Sequence, residues 1–312
     1  MAFSASEAAL EGFRIVRREP GTVAVWAVLL MIFSAVLMAL LLPTLRDLLA
    51  NVPTPGAPVS PATMNPAAQM ALFGDVGRLY LTMLPIYLVF MSIFTGAVYR
   101  AVLRPQEKGL ARLMLGGDEL RLLGFFVLFV LLICAFSILL TLAGVLGMVG
   151  VGLALKKSPA AWGLGLVVFY LVFVVAYAWL MVRLSLAGPM TFDQKRIRIF
   201  GSWKLTKGHF WPLFGCYLLA VIFAILVGIV DALMSGVLAI GMAGGSIGRA
   251  ATGLFRPDFS SFATLFTPIY IVRLLVGGAF GSVISAVMIA APAAAYREIL
   301  AARPEDKTGT FA

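Results

Sequence analysis

Six apolar stretches alternate with short polar and basic segments along the 312 residues. Buried strands come as apolar runs of roughly 4–8 residues, whereas about 18 or more call for a transmembrane helix. The pattern therefore predicts an all-α integral membrane protein with six transmembrane helices, at residues 22–45, 79–103, 120–146, 161–186, 210–240 and 266–299. Proline-punctuated residues 51–58, continuing through Pro61 and Pro66, read as a PPII-like loop outside the bilayer. Pro85 predicts a kink in the second span. The run Gly144, Gly147, Gly150 and Gly152 either extends the third helix or forms a re-entrant turn before Lys156-Lys157. A Gly/Ser/Ala-rich loop is expected at 241–261, and the polar tail 303–312 reads as frayed. The first apolar run, 21–42, exceeds the roughly 7–15 residues of a signal-peptide core and lacks a small-x-small cleavage site, so it reads as an uncleaved span.

Composition removes the soluble reading. Hydrophobic residues make up 62% and charged ones 12%, against roughly 25% charged in soluble domains. Mean hydropathy is +1.02. The net charge of +10 would suit nucleic acid or the positive-inside bias of a membrane protein. Its distribution decides. Arg14, Arg17 and Arg18, then Arg100, Arg104, Lys108, Arg112 and Arg121, then Arg183, Lys195, Arg196, Arg198, Lys204 and Lys207, and finally Arg297, Arg303 and Lys307 share one side. These are 17 of the 24 Lys and Arg residues; Arg46, Arg78, Lys156, Lys157, Arg249, Arg256 and Arg273 fall on the other. The majority side reads as cytoplasmic, and an even number of spans places both termini there. Trp26, Trp179, Trp203 and Trp211 near inner boundaries, with Trp162 near an outer one, fit an aromatic belt.

A short basic segment precedes each odd-numbered span. In 4–19, Glu7, Glu11, Arg14 and Arg18 share one helical face and Ala9, Leu10, Phe13 and Val16 another; Ser4 with Glu7 forms a capping box, and Pro20 ends the helix. In 106–115, Leu110, Leu113 and Met114 align, with Gly116-Gly117 as a stop. In 194–207, Ile199, Phe200 and Trp203 align, with Gly208 as a stop. All three are expected to be amphipathic helices lying in the cytoplasmic interface. The exits also match: Tyr99-Arg100 leads to Pro105 as Tyr296-Arg297 leads to Pro304. The chain thus reads as one polytopic domain of three hairpins, a parallel internal repeat with units 4–105, 106–190 and 194–304; the fourth span departs from it at Arg183–Pro189.

Little chemistry stands out. Asp231 and Arg273 interrupt spans five and six, but each lies ~31–34 Å from the cytoplasmic end of its span at ~1.5 Å per residue, near the outer interface. They read as a structural ion pair, with Asp47 and Arg78 as the counterpart in the first unit. Asp118 and Glu119 are placed to pair with Arg100 or Arg104. His209, the single histidine, reads as an interfacial residue, and Cys134 and Cys216 as packing residues. Gly241–Gly245 and Gly277, Gly278, Gly281, Ser282 and Ser285 suit close helix approach. No nucleophile elbow, zinc-protease helix or phosphate loop is present, so no catalytic, cofactor or metal residue is assigned. Basic residues interleaved with apolar anchors suit anionic lipid headgroups, not nucleic acid. The lipid-contact candidates are Arg14, Arg17, Arg18, Lys195, Arg196, Arg198, Trp203, Lys204 and Lys207.

The stretch 200–214, with its core Ser202-Trp203-Lys204-Leu205-Thr206-Lys207-Gly208-His209-Phe210-Trp211, resembles a motif of the YciC-like and glycerophosphoryl diester phosphodiesterase membrane-domain family. The resemblance implies a multi-pass protein of the bacterial inner membrane. Some relatives attach a soluble phosphodiesterase barrel; this chain has no room for one, so no catalytic residue is carried over. Two functions fit: a non-enzymatic, lipid-associated scaffold or accessory to an envelope enzyme, and a transporter or channel for a small solute or lipid. Partners expected are the bilayer, its anionic lipids, and a further membrane protein or second copy of the chain.

Overall fold

A computed structural model describes residues 4–51, 66–107, 109–154, 159–255, 261, 263 and 266–302. Among them the chain is helical, without strands: α1 (Ala5–Ala9), α2 (Glu11–Arg18), α3 (Pro20–Asn51), α4 (Pro66–Leu103), α5 (Gly117–Ala154), α6 (Pro159–Leu184), α7 (Ala187–Asp193), α8 (Gly201–Leu205), α9 (Phe210–Met242), α10 (Ile247–Phe255) and α11 (Pro268–Ala301). Six of these, α3, α4, α5, α6, α9 and α11, are long and apolar enough to cross a membrane. The protein is a multi-pass membrane protein of the all-helical class.

Consecutive long helices touch: α3 packs on α4, α5 on α6, and α9 on α11. α11 is the hub, also meeting α1, α2, α3, α4 and α7. Its last turns explain why. Ala286, Ala290, Ala291, Ala293, Ala294 and Ala295 are all buried, and small side chains let neighbouring backbones close in. The largest buried side chains, among them Trp26, Phe94, Leu122, Phe192, Leu213 and Tyr296, lie at the same basic end of the bundle. Toward the other end α5 and α6 present Leu131, Ile138, Leu139, Leu164 and Tyr170 outward. That exposed apolar surface is what lipid, not water, would cover.

The basic segments depart from expectation. Segment 4–19 is broken at Leu10 into α1 and α2. Ser4 makes no side-chain cap; its backbone N–H donates to Glu298 Oε2 at 3.1 Å. Pro20 opens α3 instead of only ending α2, where its missing N–H costs nothing. α1 and α2 pack on α11, and Phe13 meets Phe223 of α9 edge-on at 5.5 Å. Segment 106–115 holds only a 3₁₀ turn, Leu110–Arg112, with Ala111 and Arg112 at φ +48° and +61°. In 194–207 only α8 is helical, and Lys195 takes φ +53°. Loop 241–261 contains α10. The run from Gly144 continues α5 as helix to Ala154, not as a re-entrant turn. The proline-rich residues 52–65, Lys156-Lys157 and the tail 303–312 lie outside the described residues.

Candidate functional site

The basic end carries a collar of ion pairs that ties the helix ends together. Glu11, almost fully buried on α2, accepts from Arg14 Nη1 at 3.3 Å and Arg18 Nη2 at 3.2 Å, and Arg297 Nη2 lies 3.5 Å away. Buried Arg100, at the end of α4, pairs with buried Glu119 in the first turn of α5. Arg104 Nη1 bonds Asp118 at 3.1 Å, and Asp118 also takes Arg121 at 2.7 Å. The carboxylates sit in the first turn of α5, where the helix dipole favours them.

Arg112 is the densest node. Its Nε and Nη2 grip both oxygens of Glu19 at 2.9 and 2.6 Å, a bidentate fork. The same guanidinium donates to the carbonyls of Pro105 and Glu107, with longer bonds to those of Arg100 and Arg104. It therefore caps the C-terminus of α4, where orphan carbonyls and the dipole both favour a cation. The left-handed backbone at Ala111 and Arg112 turns the side chain inward, and Trp26 Nε1 donates to Ala111 O at 2.9 Å to hold that turn. The hydrogen bonds from Arg112 keep the Glu19 carboxyl below its ordinary value of 4.5, against the opposing pull of burial.

α7 plugs the middle of this end. Ala187 through Phe192 are buried. The Phe192 ring lies 4.6 Å beneath the Arg104 guanidinium and 5.6 Å from that of Arg100. Arg104 also bonds Phe192 O at 3.2 Å, and Tyr296 donates to Asp193 at 3.0 Å. The Tyr/Arg exits of α4 and α11 thus converge on α7, and Arg297 donates to Val102 O at 2.9 Å.

Above α7 lies a cavity of about 460 Å³ among α4, α5, α6, α9 and α11. Phe125, Phe126, Phe129, Met181, Phe214, Val221 and Met288 are among the apolar side chains of its wall. Its polar groups are few: Tyr99, and Tyr217, whose hydroxyl donates to Ser185 Oγ at 2.7 Å while Ser185 donates to Val182 O. A second apolar gap of about 510 Å³ separates α5 and α6 at their ends away from the basic face, around Gly144, Gly147, Gly165 and Phe169.

The sequence-derived candidates divide. Lys195, Arg196, Arg198, Lys204 and Lys207 are exposed, as are Arg14, Arg17 and Arg18. Trp203 is half-buried, with its ring 5.1 Å from that of Trp179. Arg14 and Arg18 belong to the collar through Glu11, whereas no ion pair involves Arg17 or the five exposed cations of 195–207 among the described residues. Asp118 and Glu119 take Arg104 and Arg100, as expected. No ion pair joins Asp231 to Arg273 among the described residues; Asp231 Oδ1 is buried without a hydrogen-bond partner. Arg78 approaches Asp75 at 3.9 Å. His209 precedes α9 with Nδ1 buried and unpartnered, and Cys134 and Cys216 are free thiols. Among the described residues no cluster of three or more His, Cys, Asp or Glu side chains could hold a metal. Sequence reasoning missed Arg112, Glu11, Phe192 and the cavity hydroxyls. A signal existed for Glu11 alone, a carboxylate in the middle of a cationic face.

No family model, curated protein or solved structure matches the chain.

Proposed function

We propose that the protein is a non-enzymatic scaffold of the bacterial inner membrane that gathers anionic lipids at its cytoplasmic rim. The observation that carries this reading is the partition of charge at the basic end. The acids Glu7, Glu11, Glu19, Glu107, Asp118 and Glu119 are engaged in the arginine collar. Lys195, Arg196, Arg198, Lys204 and Lys207 stand exposed beside it, with Ile197 and Phe200 as exposed apolar neighbours. Each such cation near an anionic membrane surface contributes ~1 kcal/mol. Paired charges fix the bundle; unpaired ones attract headgroups.

In this reading the six helices form three hairpins with both termini in the cytoplasm, each hairpin entered through a basic segment. The resemblance of 200–214 to the YciC-like membrane domains belongs to the same proposal, since that stretch contains Lys204, Lys207 and the rim aromatics Trp203 and Trp211. The cavity also supports it against transport, because its wall is apolar and α7 fills the space at its basic end. Extraction into native nanodiscs, followed by an inventory of co-purifying lipids, proteins and solutes, tests the proposal. It predicts enrichment of anionic phospholipid over the bulk membrane. A stoichiometric small solute with bulk-like lipid would instead establish the transporter.

A further inference from the structure

One cation at the basic end belongs neither to the collar nor to the exposed rim. Arg183, in the last turn of α6, is half-buried, and its Nε is buried without a hydrogen-bond partner. Among the described residues its side-chain hydrogen bond is a long one, 3.5 Å from Nη1 to Thr206 Oγ1. No carboxylate pairs with it among the described residues. The guanidinium lies 6.0 Å from the Trp179 ring and 5.8 Å from the Trp203 ring. Its backbone is fixed in place, since Ser202 Oγ donates to Arg183 O at 2.8 Å. A guanidinium cannot shed its charge at any working pH. Partly desolvated, with two indole rings but no carboxylate to answer its charge, it is placed to take an anion from outside the chain. Planar forked donors match the oxygens of phosphate and carboxylate alike, and phosphate is the anion that a bilayer surface supplies.

The apolar cavity begins within the same helical turn: Val182 and Leu184, on either side of Arg183, both line it, as does Ser185. About 460 Å³ falls within the size range of built ligand sites, roughly 300–1,000 Å³. A cation at the membrane interface beside an apolar slot at inner-leaflet depth matches one amphiphile. We propose that a single anionic phospholipid of the inner leaflet occupies this place, with its phosphate on Arg183 beside the Trp179–Trp203 pair and one acyl chain in the cavity against Phe125, Phe214 and Val221. This rests on the membrane orientation adopted above, and it adds one tight, stoichiometric lipid to a diffuse anionic rim. The Tyr217–Ser185 pair then marks the polar end of the slot, and α7 its floor.

The test uses the full chain in nanodiscs of phosphatidylglycerol and phosphatidylcholine, ejected and weighed by native mass spectrometry. Wild type is expected to retain one phosphatidylglycerol per chain. Arg183→Gln should lower the retained fraction about tenfold, as loss of a charge-assisted contact implies, and Arg183→Lys should fall between the two. Val221→Trp fills the slot from a half-exposed position, so it spares the buried core; it should also eject the lipid. Lys204→Gln with Lys207→Gln should leave the tight lipid in place while reducing the broader anionic enrichment. No retained lipid in wild type, equal retention by Arg183→Gln, or equal retention of phosphatidylcholine would each overturn the inference. Broad anionic enrichment without a tight lipid would overturn it alone, and loss of both would also overturn the scaffold reading.

Discussion

At the scale of single residues, the basic end depends on charges whose partners are fixed by burial. Arg100 and Glu119 are both buried, so removing Arg100 leaves the Glu119 carboxylate uncompensated. Arg100→Ala should therefore destabilise the bundle by about 3–5 kcal/mol, whereas the paired change Arg100→Met with Glu119→Leu should recover most of that loss. Unfolding in a graded detergent–denaturant series would measure both, and equal losses in the two variants would contradict the ion-pair account. Gly12 tests packing without charge. A Cβ there would run into the backbone of Val287 on α11, so Gly12→Ala should cost about 1–3 kcal/mol through overpacking. An unchanged unfolding midpoint would show that α2 is not seated on α11. Some of this detail was legible in the sequence: Asp118-Glu119 opposite Arg100 and Arg104 is a local pattern across one connection. Arg112 to Glu19 was not, because the partners are 93 residues apart and meet only through the tertiary fold.

At the scale of elements, the long helices were legible because twenty or more apolar residues admit few other structures. The short basic segments were not. Residues 106–115 have helical spacing of Leu110, Leu113 and Met114, yet Leu110 and Met114 are exposed and the backbone reverses hand at Ala111. Tertiary bonding outweighs the local pattern there: one guanidinium satisfies the carboxylate of Glu19 and several carbonyls at the end of α4. Segment 194–207 fails as one helix in a similar way, with Lys195 at positive φ and Ser202 tied to α6. The Arg112 turn carries a pH prediction. Because the Glu19 carboxyl is held below 4.5, its pairing contributes stability that is fully present above that value and is lost as pH falls through the lower, native value. Hydrogen-exchange protection at Ala111–Leu113, measured against the intrinsic rate at each pH, should therefore fall on acidification below 4.5, and Glu19→Gln should abolish that acid-dependent step. An acid response that persists in Glu19→Gln would assign the step to another group.

At the scale of the whole molecule, burial is concentrated at one end, where α11, α7 and the collar knit the helices together. The opposite ends of α5 and α6 expose leucine, isoleucine and valine on several sides. Such a bundle is anchored at the basic face and relies on lipid elsewhere. In the proposed orientation, which rests on the Lys and Arg asymmetry, that face is cytoplasmic. A reporter fused after Ala312 should accordingly read cytoplasmic, and one inserted in 52–65 should read external; the reverse result would invert the orientation. The central claim, that the exposed cations recruit anionic lipid while the paired ones build the fold, is tested most directly by neutralising only the rim. Lys195, Arg196, Arg198, Lys204 and Lys207 would all be changed to Gln, and the lipid shell around wild type and variant compared in nanodiscs of fixed phosphatidylglycerol and phosphatidylcholine content. The account predicts anionic enrichment around wild type that collapses toward the bulk ratio in the variant, with the unfolding midpoint unchanged. Equal enrichment around both proteins, or a variant that unfolds, would contradict it.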